Sequence, residues 1–64
     1  MFNPKKLNQL REKEALSCRR FALKLGVSPG TMSRVLSGKF QPSPKFLQLL
    51  KNAYPDISLD KFFD

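Results

Sequence analysis

At 64 residues, with 12 Lys or Arg against 5 Asp or Glu, the chain reads as one small basic domain of net charge +7, residues 1–64. One cysteine and no histidine exclude an internal disulfide framework or zinc site, which leaves packed helices to stabilise so short a chain; no cofactor or metal is expected. Positive charge is concentrated: residues 1–51 carry eleven Lys/Arg against two Glu, whereas residues 52–64 carry Lys61 against three Asp. That asymmetry fits a polyanion-binding surface, with plain solubility as the bland alternative.

The opening Met1-Phe2-Asn3-Pro4-Lys5-Lys6 has charge but no apolar run behind it, so neither a signal peptide nor a membrane span is expected, and the lone thiol of Cys18 suits a reducing cytoplasm. Asn3-Pro4 starts a first helix, a capping side chain followed by proline where a missing N–H costs nothing. Leu7, Leu10 and Ala15 are expected inward, and Arg11 and Glu14 are near enough for a surface pair. The helix should stop near Glu14-Ala15-Leu16, with Leu16 and Phe21 at the spacing of a hydrophobic staple.

Ser17 caps a second helix whose apolar stripe is Phe21, Ala22 and Leu25, and Gly26 closes it in a left-handed conformation. Cys18-Arg19-Arg20 puts positive charge at the positive end of a helix dipole, an arrangement better tolerated where a phosphate is expected; a solvated basic turn is the alternative. Ser28-Pro29 starts a third helix, 29–37, with Met32, Val35 and Leu36 inward and Gly38 ending it. Helical geometry leaves Pro29, Gly30, Ser33 and Arg34 on its outer face, with Thr31 and Ser37 on the flanks. Ser43-Pro44 starts a fourth helix with Phe46, Leu47, Leu50, Ala53 and Tyr54 inward, which Pro55 terminates. Phe40 either covers the core or lies against a sugar edge, and cover is favoured. Ser58 is expected to cap a last short helix, with Ile57 and Phe62 at staple spacing. Phe62 closes the core, so its neighbour Phe63 faces elsewhere: towards a partner, towards sequence beyond Asp64 if the chain is a fragment, or towards nothing.

Two short helices joined by a tight glycine turn over 17–38 form a helix-turn-helix, whose second helix enters the DNA major groove. The stretch resembles the lambda-type repressor and Cro (Xre) family through Ala22, Gly26-Val27-Ser28, Met32-Ser33-Arg34-Val35 and Ser37-Gly38-Lys39. The likeness extends to Leu7, Leu10-Arg11-Glu12, Pro42-Ser43-Pro44 and Ser58-Leu59-Asp60, covering nearly the whole chain. It implies an all-α bundle of about five short helices, lambda-repressor-like, that binds double-stranded DNA in the bacterial or phage cytoplasm as a repressor or Cro-like switch. It also implies a homodimer, with Phe63 near the last helix as a candidate contact.

Within that reading, Pro29, Gly30, Ser33 and Arg34 face the bases. Arg34 either forks onto guanine O6 and N7, contacts phosphate, or is a free surface arginine. Ser17, Cys18, Arg19, Thr31, Ser37, Lys39, Gln41 and Lys45 are the candidate phosphate contacts. The sequence departs from its family where glutamine is common, at Cys18 and Pro29, and Gly30 replaces a second reader. Specificity then rests on Arg34, Ser33 and DNA shape, with the backbone close to the bases. An enzyme is not expected, because the five carboxylates sit in polar surroundings and Cys18 has no histidine or second cysteine to act with. The competing class is a protein-interaction module on the same fold, such as an antirepressor or antitoxin part.

Overall fold

Asn3, Ser17, Ser28 and Ser43 start the four α-helices of the computed structural model, which describes residues 1–64. These are α1 (Pro4–Lys13), α2 (Cys18–Leu25), α3 (Pro29–Leu36) and α4 (Pro44–Ala53), followed by a 3-10 turn at Leu59–Phe62. Each starting side chain accepts a backbone N–H of its own first turn, from Lys5, Arg20, Thr31 and Phe46 respectively, and proline follows the cap in α1, α3 and α4. The chain is therefore all-helical, without strands; a single isolated antiparallel bridge joins Phe2 to Phe63. No helix is long and apolar enough to cross a membrane.

The expected fifth helix is only this turn. Ser58 makes no side-chain cap bond, and four residues are too few for repeated α-type hydrogen bonds. The third helix also stops one residue short of expectation, at Leu36, with Ser37 as its cap.

Helices α1, α2 and α3 close in the same way. After each, one residue turns left-handed, at φ +54 for Ala15, +83 for Gly26 and +82 for Gly38. The N–H of the following residue then reaches back five positions, Leu16 to Arg11, Val27 to Ala22 and Lys39 to Arg34, at 3.0–3.1 Å. Gly26 and Gly38 adopt this conformation without a Cβ penalty, whereas Ala15 adopts it under strain. Ala15 is consequently exposed on the turn and not part of the inward face.

The core consists of Phe2, Leu7, Phe21, Ala22, Leu25, Met32, Val35, Phe46, Leu50 and Phe62. Ala22 is fully buried, and α2 packs against both α3 and α4. A larger side chain there would force the helices apart at about 1–3 kcal/mol. Leu10, Leu16, Leu36, Leu47, Ala53 and Tyr54 lie half-buried around this centre. Phe2 is the unexpected member: its ring stacks on Phe62 at 6.3 Å and meets Phe63 edge-on at 5.6 Å. Asn3 N–H donates to the Phe62 carbonyl at 2.6 Å and Asp64 N–H to that of Met1 at 2.9 Å, so the segments flanking the helices are clasped together.

That clasp fixes α1 against the far end of α3. Asn8 Nδ2 donates to the carbonyls of Pro4 (3.2 Å) and Leu36 (3.0 Å), satisfying one of the free acceptors at the end of α3. A Cβ on Gly38 would stand 3.3 Å from Pro4 Cγ, so the chain turns there in close contact with the start of α1. Arg11 does not pair with Glu14. Its Nη1 donates to the Leu16 carbonyl at 2.8 Å, bracing the turn into α2, while Glu14 pairs with Lys24 at 3.6 Å.

Candidate nucleic-acid interface

The N-terminus of α2, the outer face of α3 and the loop leading to α4 carry the candidate residues. Pro29, Gly30, Thr31, Ser33, Arg34 and Ser37 are all exposed, as are Ser17, Arg19, Lys39, Gln41 and Lys45; Cys18 is half-buried. Packing explains the division along α3: Met32 and Val35 are buried, and the residues between and before them must then point away from the core.

Local bonds set what each group has left to offer. Ser17 Oγ accepts from Arg20 N–H at 3.1 Å, leaving its proton free to donate. Ser28 Oγ accepts from Thr31 N–H and donates to Thr31 Oγ1 at 2.9 Å, so the threonine hydroxyl is oriented and keeps its own proton. Ser37 differs. Its Oγ donates to the Arg34 carbonyl at 3.0 Å, and it can serve a phosphate as donor only by giving up that bond. Ser33 lines a shallow groove of roughly 400 Å³ with Asn8, Arg11, Cys18, Leu36 and Ser37, where α1, α2 and α3 meet. Arg11, expected to stay in solvent, thus borders the same groove as Ser33, a placement that only the packing of α1 reveals.

The chain's two ion pairs, Lys6–Asp64 at 3.1 Å and Lys24–Glu14 at 3.6 Å, engage two of its twelve Lys and Arg residues; Arg19, Arg34, Lys39 and Lys45 are among the ten without a carboxylate partner. No acidic residue occupies the first turn of α2, α3 or α4, so the positive ends of these helix dipoles are uncompensated. No group of three or more His, Cys, Asp or Glu side chains is placed to hold a metal ion.

Gly30 stands apart sterically. It sits in the first turn of α3, and a Cβ built on it meets nothing within 4 Å. Glycine in a helix costs about 0.5–1 kcal/mol relative to alanine, and nothing inside this chain requires it. Residues 5–54, which span α1 to the end of α4, match the family model described as a helix-turn-helix domain. The chain belongs to the helix-turn-helix domain family. Comparison with curated proteins and with solved structures found no match. Membership supports DNA binding through this domain; within the matched span, α2 and α3 are joined by a short turn through the left-handed Gly26.

Two placements differ from expectation. Phe40 does not cover the core: it is 58% exposed, and its ring lies beneath the Arg34 guanidinium, with Cζ 5.4 Å from the ring centroid. Phe63 is 39% exposed, and its ring edge is partly taken up by Phe2 within the same chain.

Proposed function

We propose that this helix-turn-helix domain is a sequence-specific, double-stranded DNA-binding transcriptional regulator of the lambda-type repressor and Cro (Xre) kind. It reads the major groove with α3 in a lambda-repressor-like bundle and binds as a dimer, in the cytoplasm, without enzymatic activity. One observation carries the reading: α3 of a helix-turn-helix domain exposes Ser33 and Arg34 on its outer face, with Arg19, Lys39 and Lys45 exposed on the neighbouring helix start, loop and helix start. Arg19 and Lys45, beside the starts of α2 and α4, and Lys39, after α3, anchor phosphates, with Ser17, Cys18, Thr31, Ser37 and Gln41 as neutral partners. Pro29 and Gly30 let the backbone approach the base edges, Ser33 contacts either base type, and Arg34 forks onto guanine. Phe63 remains a contact for the second protomer through its exposed part.

Binding to duplex DNA across a salt series tests this. Three phosphates neutralised per protomer give a log–log slope of roughly −2.7, and Lys45→Ala reduces its magnitude by about 0.9 while weakening all sequences alike. Arg34→Ala instead relaxes discrimination at one base position by on the order of tenfold, from a contact worth ~1–3 kcal/mol. Affinity for DNA that is weak and insensitive to salt would favour the protein-interaction module, to which the bare front of α3 at Pro29 and Gly30 lends its support. Sites selected from random duplexes should show two-fold symmetry if the protomers pair on DNA.

A further inference from the structure

Phe40 is a large apolar side chain left 58% exposed on the loop after α3, where it lines a shallow cleft with Arg34, Val35 and Phe46. Its position is set by the backbone. The carbonyl of Arg34 accepts from Lys39 N–H at 3.1 Å, from Phe40 N–H at 3.3 Å and from Ser37 Oγ at 3.0 Å. These bonds fold the chain back over the end of α3, so residue 40 lies beside residue 34 whatever rotamers the two adopt. With no carboxylate paired to Arg34, the aromatic face is the attractive surface its guanidinium meets.

An arginine on an exposed helix face keeps rotamer freedom that is lost when it forks onto a base. A ring that holds the guanidinium before DNA arrives removes part of that loss. We propose that Phe40 is a positioning residue for Arg34: its aromatic face pre-orders the guanidinium, so that sequence discrimination depends on a ring that touches no base. The proposal rests on the reading of Arg34 as the base contact.

The test compares Phe40→Leu, which keeps apolar bulk but has no π face, with Phe40→Trp, which restores one. Two measurements are made on each: the order of the Arg34 Nε–H vector in the free protein by ¹⁵N relaxation, and the affinity ratio between a selected DNA site and the same site with its Arg34-facing base pair replaced. Phe40→Leu should mobilise Arg34 and lower the ratio about 2- to 5-fold, with non-specific affinity and salt slope unchanged. Phe40→Trp should restore both, and in an Arg34→Ala background Phe40→Leu should change nothing further. An Arg34 equally mobile in the native chain and in Phe40→Leu overturns the positioning role, as does a Phe40→Leu loss that persists without Arg34. If Arg34→Ala itself leaves the ratio intact, the base-reading assignment falls and the specificity claim with it, while the relaxation data still report on the ring–arginine contact alone.

Discussion

Replacing Phe2 by alanine removes a ring that is 5% exposed, stacked on Phe62 and edge-on to Phe63, from outside the four α-helices. A buried phenylalanine hides about 150–250 Å², an upper bound of roughly 4–6 kcal/mol at about 25 cal/mol per Å². Measured Phe→Ala changes in cores cost about 3–5 kcal/mol, and the low end applies here because the site lies at the edge of the core and can partly collapse. A chain of this length has only about 3–10 kcal/mol of stability in total, so a loss near 3 kcal/mol lowers the melting temperature by roughly 12–24 °C or unfolds the domain. Phe2→Leu, which keeps most of the apolar area, should cost only about 1 kcal/mol and keeps the test readable if the alanine variant does not fold. Urea titration followed by circular dichroism measures both. Since α1 leans on α3 through Asn8 and the Leu36 carbonyl, DNA affinity should fall together with stability. An alanine variant within 0.5 kcal/mol of the native chain, a bound set by the usual cost of surface changes at about ±0.5 kcal/mol, would refute the reasoning and mean that the clasp of Phe2 with Phe62 and Phe63 opens freely in solution.

Gly30→Ala should move stability and binding in opposite directions: melting rises by the equivalent of about 0.5–1 kcal/mol, since the added methyl meets nothing in the protein, while on the proposed DNA-reading role of α3 affinity for the selected site drops. Ala15→Gly relieves a left-handed alanine and should stabilise the fold by about 0.5–1 kcal/mol in the same denaturation assay, with DNA binding unchanged. The Tyr54 hydroxyl is buried without a hydrogen-bond partner, so Tyr54→Phe should raise stability by about 1 kcal/mol. Burial also pushes this phenol above its usual 10.0, a shift that the nearby Lys24 opposes and Glu14 reinforces. A raised folded value means stability is intact below pH 10 and declines as pH rises through it; this alkaline dependence should be weaker in the phenylalanine variant. At the acid end, the hydrogen bond and charge of Lys6, aided by Asn3, hold the Asp64 carboxyl below its ordinary 3.8. A lowered folded value contributes stability above the ordinary one that is lost as pH falls through the folded one, so Asp64→Asn should flatten part of the melting-temperature profile below about pH 4.

The groove of Ser33 illustrates how far the site itself could be read in advance. Ser33 and Arg34 follow from helical period, since Met32 and Val35 had to be inside, and their exposure in the structure agrees. Arg11 shares that groove only because α1 is tied across the end of α3, and no spacing within α1 announces it. The same holds for Phe40, for which apolar character favoured a place over the core, whereas the turn after α3 brings it beneath Arg34.

By itself the sequence determined where the four α-helices begin, roughly where they end, and most of the residues that face inward. Those features arise from caps, prolines, left-handed closures and apolar period, all of which act over three to five residues and so leave a local record. Tertiary structure alone decided that Phe2 joins the core and that Asn8 satisfies an acceptor 28 residues away. Such contacts depend on how the helices stack in space, and residues brought together from distant positions carry no mark of each other in their local pattern.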